Sequence, residues 1–237
     1  MQTNDGGTMR YRVLSLRNAR RLIALKAALV AIMLVGLPLA ASAAPAPAHV
    51  YLMRGLLNIF SLGMDQIANR LEQQGISASV HNHILWASVA DDAAAAYKSG
   101  RIKTVILVGH SSGATCLPDM VARLSAQGVP VKLAIGLDSV FHTSLTGKVG
   151  RYVNFYIANG AGTRVEKTRN FSGTLDNVDV ERVPGVSHVS IDKNEIIQQK
   201  VIAEIDAAVA SGPSGEPNAP RPPRAAPLPP SSKRAAN

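Results

Sequence analysis

From residue 49 onward, short runs of consecutive apolar residues alternate with longer stretches in which apolar positions recur every three or four residues. HVYLM (49–53), KTVILV (103–108) and VKLAIGL (131–137) are such runs. Being apolar throughout, they predict strands covered on both faces, as parallel strands are. SASVH (77–81), RYVNFYIA (151–158) and VDVERV (178–183) predict three more. Between the first two strands, SLGMDQIANRLEQQG sets Met64, Ile67, Ala68 and Leu71 on one helical face and stops at Gly75, where a C-terminal glycine belongs. WASVADDAAAAYKSG predicts a second helix ending at Gly100, and the stretch after residue 113 a third ending near Gly128. A last helix is expected from about Asp192 to Ala210, with Asp192 and Glu195 at capping-box spacing. Its inward stripe is Ile196, Ile197, Lys200, Val201 and Ile205. Strands alternating with helices predict an α/β domain: a mainly parallel sheet of about six strands with helices on both faces.

The flanks have a different composition. Residues 1–43 carry Arg10, Arg12, Arg17, Arg20, Arg21 and Lys26 against Asp5 alone, and residues 27–41 form an uncharged apolar run ending at Ala41-Ser42-Ala43. A basic flank, a short apolar stretch and an A-x-A site predict a secretory signal cleaved after Ala43, with Sec and twin-arginine export both open, and hence a periplasmic or secreted protein. Retained, the same leader would be a membrane anchor; its run is short of the roughly 20 apolar residues that a span needs. Residues 44–48 are a short linker, 49–210 the folded domain, and 211–237 a Pro- and Ala-rich basic tail expected to be disordered. The two ends account for nearly all of the net charge of +9. The domain between them is close to neutral and poor in aromatics, which argues against nucleic acid as a partner. Cys116 is the only cysteine, so no internal disulfide can form, and a buried, inert thiol is expected.

The stretch GHSSG (109–113) leaves the strand KTVILV and enters a helix directly. By chance alone, G-x-S-x-G would occur in roughly one chain in ten of this length; its placement between strand and helix is what gives it meaning. A side chain at the apex of so sharp a turn stands free above the sheet. Residues two before and two after the apex approach the neighbouring backbone so closely that a Cβ would clash, and Gly109 and Gly113 meet that demand. Ser111 at the apex is a candidate nucleophile, with the N–H of Ser112 at the helix start as one oxyanion donor. Pro118 is expected to kink or interrupt the helix that follows.

A serine nucleophile needs a base, and the base an orienting acid, in the chain order Ser, Asp or Glu, His. His188, in a loop before the last helix, is the first candidate base, and His142 the second. Asp138, at the carboxyl end of VKLAIGL, is the first candidate acid, with Asp176 and Asp179 as alternatives. Active sites of open α/β sheets lie along that edge. A second oxyanion donor is expected from the N–H of Leu56 or Leu57, after the turn at Gly55. His81 and His83 supply only two ligands, too few for zinc, so no metal is expected. Trp86 and Phe60 are candidates for the core or for the lining of a cleft.

The elbow GHSSG, the LDS ending a strand and SHVSID before the last helix resemble α/β-hydrolase-fold serine hydrolases of the lipase, esterase and thioesterase kind. RGLLNIFSLGMDQIANRLEQQG resembles the oxyanion loop and first helix of small bacterial members, and the likeness spans about 49–210. It implies a reduced version of that fold, lacking two amino-terminal edge strands and a large lid, with Ser111 as nucleophile, His188 as base and Asp138 as acid. An acid directly after the strand that follows the elbow strand resembles the thioesterase arrangement. The implied activity is hydrolysis of a small ester or thioester through an acyl-enzyme, with no cofactor and with the membrane met only through the leader. A binding protein that kept the elbow without turnover, or an acyltransferase, would share the same residues.

Overall fold

In the computed structural model, residues 47–56 and 61–212 are described. The expected leader, most of the linker, the tail from residue 213, Leu57 and Phe60 all lie outside them. Among the described residues no helix is long and apolar enough to cross a membrane.

The chain runs β1 (Ala48–Arg54), α1 (Gly63–Gln73), β2 (Ser77–Asn82), a 3-10 turn (His83–Leu85), α2 (Trp86–Lys98), β3 (Thr104–His110), α3 (Ser112–Thr115), α4 (Leu117–Ala126) and β4 (Val131–Leu137). It continues as β5 (Thr143–Tyr156), β6 (Val165–Asp179) and α5 (Glu195–Ala210). Six strands form one sheet in the order β2-β1-β3-β4-β5-β6, every neighbouring pair parallel. The strands are apolar on both sides because each side has its own core. Along β3, Val105 and Leu107 pack with α2 and α4, while Ile106 and Val108 pack with α1 and α5. The expected faces hold: Met64, Ile67, Ala68 and Leu71 of α1 are buried, as are Ile197, Val201 and Ile205 of α5. Ile196 and Lys200, placed in the same stripe by spacing, are not buried. Trp86 packs against the core on the α2 and α4 face.

The order of the strands decides where a site can form. From β1 the chain moves outward to β2 and then crosses to the other side of β1 for β3, so α1 and α2 cover opposite faces. A crevice opens between the carboxyl ends of β1 and β3, the switch point at which open α/β sheets bind their ligands.

The bounds of the last two strands and of the last helix are corrected. The fifth strand begins at Thr143 rather than near 151, and the sixth spans Val165–Asp179 rather than 178–183. Val149 lies opposite Val131 at the start of β4 and Phe155 opposite Leu137 at its end. Residues 143–148 therefore carry the chain back to the amino edge as extended backbone in place of a crossover helix, and the first part of β6 repeats this path alongside. Gly147 (φ 87°) and Gly173 (φ 137°) bend the two strands. Both return legs are partly polar, which hid them. The last helix starts at Glu195, and its cap is Asn194, whose side chain accepts from the N–H groups of Ile196 and Ile197. Asp192 is no cap. The helix after the elbow is divided: α3 ends and α4 begins at Cys116, and Pro118 sits in the first turn of α4, where its missing N–H is harmless.

Candidate active site

Ser111 has φ 57° and ψ −122°, a region that side chains other than glycine rarely adopt. The turn is as tight as the glycine spacing implies. A Cβ on Gly109 would lie 2.3 Å from the carbonyl oxygen of Gly113, and one on Gly113 would lie 2.1 Å from that of Met53 in β1. The Ser111 N–H remains tied to the sheet through the Leu137 carbonyl at 2.9 Å. The hydroxyl is thereby held above the sheet at the crevice between β1 and β3.

Asp138 follows β4, is fully buried, and has φ 52°. Ser111 and Asp138 are the only non-glycine residues with positive φ among the described residues. Asp138 Oδ1 accepts the N–H of Ile157 at 2.9 Å, and Oδ2 lies 2.7 Å from His188 Nδ1. An ionised carboxylate only accepts, so Nδ1 carries the proton. His188 Nε2, 3.0 Å from Ser111 Oγ, is then the acceptor of the hydroxyl proton. The His188 side chain is 28% exposed, enough for the ring to exchange protons with an incoming molecule.

The other candidates lie apart from this chain of contacts. Asp176 is paired with Arg151 at 2.8 Å, and Asp179 Oδ1 accepts the N–H groups of Ala158 and Glu181. His142 is exposed and stands 3.4 Å from Glu166. Gly55 abuts the nucleophile, since a Cβ there would be 2.9 Å from that of Ser111. Its own N–H is given to Ser61 Oγ at 2.9 Å, so any donor from this turn comes from a residue beyond it. Leu56 is exposed and follows directly; Leu57 lies outside the described residues. Ser112 opens α3, whose first N–H groups have no carbonyl behind them within the helix. Leu56, Phe141 and Val189 are large apolar side chains exposed on the loops that carry Gly55, Asp138 and His188.

Three residues near the site escaped sequence reasoning. His110, the variable residue of GHSSG, is buried, with Nδ1 2.8 Å from Ser61 Oγ and Nε2 2.8 Å from the carbonyl oxygen of His188. Burial lowers its pKa, an effect partly opposed by Asp192, whose carboxylate lies 4.0 Å away. Asp192 is fully buried and accepts the N–H of Gly63 at 2.9 Å. His110 could have been noticed only as a polar residue in the last position of an otherwise apolar strand.

His81 Nε2 and His49 Nε2 each lie 2.8 Å from Ser79 Oγ. Among the described residues no three His, Cys, Asp or Glu side chains are grouped to hold a metal ion. Cys116 is buried, with its thiol against the Gly113 carbonyl and its pKa pushed up to about 12 by burial.

No family model matches the sequence, and no curated protein does. Among solved structures the chain is similar to human thioesterase 2, at 8% identity over 70% of this chain and 97% of that one, with a TM-score of 0.47. It is also similar to acetylxylan esterase, at 12% identity over 70% and 100% of the two chains, with a TM-score of 0.42. A third likeness is to a putative hydrolase of the α/β superfamily from Xanthomonas campestris pv. campestris, at 15% identity over 66% and 98%, with a TM-score of 0.37.

Proposed function

We propose that the chain is a serine hydrolase of carboxylic esters or thioesters, working through an acyl-enzyme. The observation that carries this is the unbroken path from Ser111 Oγ to His188 Nε2 at 3.0 Å and from His188 Nδ1 to Asp138 Oδ2 at 2.7 Å, with the hydroxyl presented on a strained turn. Ser111 Oγ attacks the carbonyl carbon as its proton passes to His188 Nε2. The oxyanion is met by the N–H of Ser112 and by the turn after Gly55, at Leu56 or Leu57. Collapse expels an alcohol or thiol, which takes the proton back from His188, and water repeats the cycle to release the acid. Asp138 stays ionised and keeps the imidazole in the productive tautomer. The exposed apolar residues Leu56, Phe141 and Val189 favour a substrate with an apolar group beside the ester. A leader cleaved after Ala43 would put the enzyme outside the cytoplasm, where free acyl-CoA is absent, and so favours an oxygen ester.

The purified protein is expected to react with a fluorophosphonate probe at Ser111 and to hydrolyse p-nitrophenyl butyrate. Ser111→Ala should abolish labelling and lower turnover about a millionfold, to background. A binding protein would show neither reaction in the wild type. An acyltransferase would label, but given an acceptor alcohol it would form new ester faster than free acid.

A further inference from the structure

His110 lies beneath the site, 2% exposed at its side chain, its ring centroid 5.3 Å from that of His188. It is almost shut off from solvent and cannot meet a substrate. Its two nitrogens nevertheless have defined and different tasks. The carbonyl oxygen of His188 can only accept, so Nε2 of His110 must carry a proton and donate it across the 2.8 Å contact. On the other side, the Gly55 N–H donates to Ser61 Oγ, and the Ser61 hydroxyl has one proton to give. In a neutral ring that carries its proton on Nε2, Nδ1 is bare and accepts the Ser61 hydroxyl proton across the 2.8 Å contact. The hydrogen bonds run in one direction: Gly55 N–H to Ser61, Ser61 O–H to His110, His110 N–H to the main chain of His188.

The two ends of this path are the parts of the site that lack regular structure. His188 lies in a stretch of turns between β6 and α5, and Gly55 starts the turn after β1. Asp138 fixes only the ring of His188, at Nδ1. The turns around it are bonded among themselves, Ser187 to Ser190 and Ile191, and the bond from His110 ties the main chain of His188 itself to the end of β3. We propose that His110, as a neutral imidazole protonated at Nε2, is a positioning residue that holds the main chain of His188 and the Gly55 turn in fixed relation to Ser111. Around it are Asp192, whose carboxylate lies 4.0 Å from Nδ1, Lys193, 3.3 Å from the other oxygen of that carboxylate, and the ring of His188. Burial favours the uncharged ring that this path requires. The proposal rests on reading Ser111 and His188 as nucleophile and base.

The test uses the full-length protein with His110→Leu, His110→Gln and Ser61→Ala. A glutamine amide nitrogen can reach the place of Nε2 and donate to the same carbonyl; leucine cannot. Misplacement of a base by about 1 Å can lower turnover about a hundredfold. His110→Leu should therefore lose about 30- to 100-fold in kcat with KM changed less than about twofold, and His110→Gln should recover to within about fivefold of wild type. Ser61→Ala should fall between them. Nitrogen-15 shifts of the wild-type ring should report a protonated Nε2 and a bare Nδ1 near neutral pH, a readout independent of how well any variant folds. Equal losses in the Leu and Gln variants, tracking their loss of thermal stability, would overturn the positioning role. So would wild-type kcat in His110→Leu, or a ring protonated at Nδ1. Absence of fluorophosphonate labelling in the wild type would instead remove the hydrolase reading itself, and a normal wild type with unaffected variants would remove only His110.

Discussion

Two buried carboxylates stand beside two imidazoles within a few ångströms of each other, and they do different things. Asp138 and Asp192 are both fully buried. Asp138 bonds its histidine directly at 2.7 Å, and His188 then turns its other nitrogen to the Ser111 hydroxyl at the crevice between β1 and β3. Asp192 stays 4.0 Å from His110, and its carboxylate accepts the backbone N–H of Gly63 at 2.9 Å. His110 spends both nitrogens on the protein's own groups, one of them the main chain of the other histidine. The same two residue types thus form a proton path where one nitrogen reaches the exterior, and a brace where neither does. Residue identity and the burial of the carboxylates are shared; the exposure of the imidazole differs.

The same substitution in each carboxylate separates the two most strongly. Asp138→Asn presents an amide to Nδ1 and favours the wrong tautomer, so kcat for p-nitrophenyl butyrate should fall about 10⁴-fold with the circular dichroism spectrum unchanged. Asp192→Asn keeps an oxygen for the Gly63 N–H and should hold kcat within about threefold, because a neutral His110 needs no counter-charge. Comparable losses in the two variants would erase the distinction. A smaller effect is expected from Asp192→Ala, which strands the buried Gly63 N–H; a loss of about 1–3 kcal/mol in chemical denaturation should exceed any change in the rate of Ser111 labelling.

The smallest effect concerns pH. Burial holds the His110 pKa below its usual value, so the unfolded chain takes up a proton there before the folded one does. The stability contributed by the neutral ring is present above the unfolded value of about 6.5 and is lost as the pH falls from there towards the folded value. His49 and His81 are shifted in the same direction, again chiefly by burial. Melting temperatures should therefore drop between about pH 7 and pH 5, and His110→Gln should make the slope shallower without flattening it. An unchanged slope would show that His110 takes up its proton alike in the folded and the unfolded chain.

Legibility in the sequence followed burial. Strands β1, β3 and β4 are central, covered on both faces, and read as apolar runs. Strand β6 is an edge strand: Glu166, Lys167, Arg169 and Asn170 are exposed, so the pattern across VEKTRNFSG carried no hydrophobic signal. The return leg of β5 was hidden because parallel neighbours are usually joined by a helix, and here the chain comes back as extended backbone. At the site, the glycines around Ser111 announced a close approach that the backbone contacts explain. His110 carried no such mark, because its partners Ser61 and His188 lie 49 and 78 residues away. Asp192 matched a local capping pattern, but the cap went to Asn194, and the carboxylate found its partner 129 residues earlier at Gly63.

The left-handed backbone at Ser111 and Asp138 sets durability against turnover. Glycine would occupy either position without the ~1–3 kcal/mol that a side chain costs in such a region, offset only in part by the added freedom of the unfolded chain. Selection for thermal resistance alone would therefore favour glycine at the two ends of the proton path, and side chains held in so constrained a backbone are what a working requirement demands.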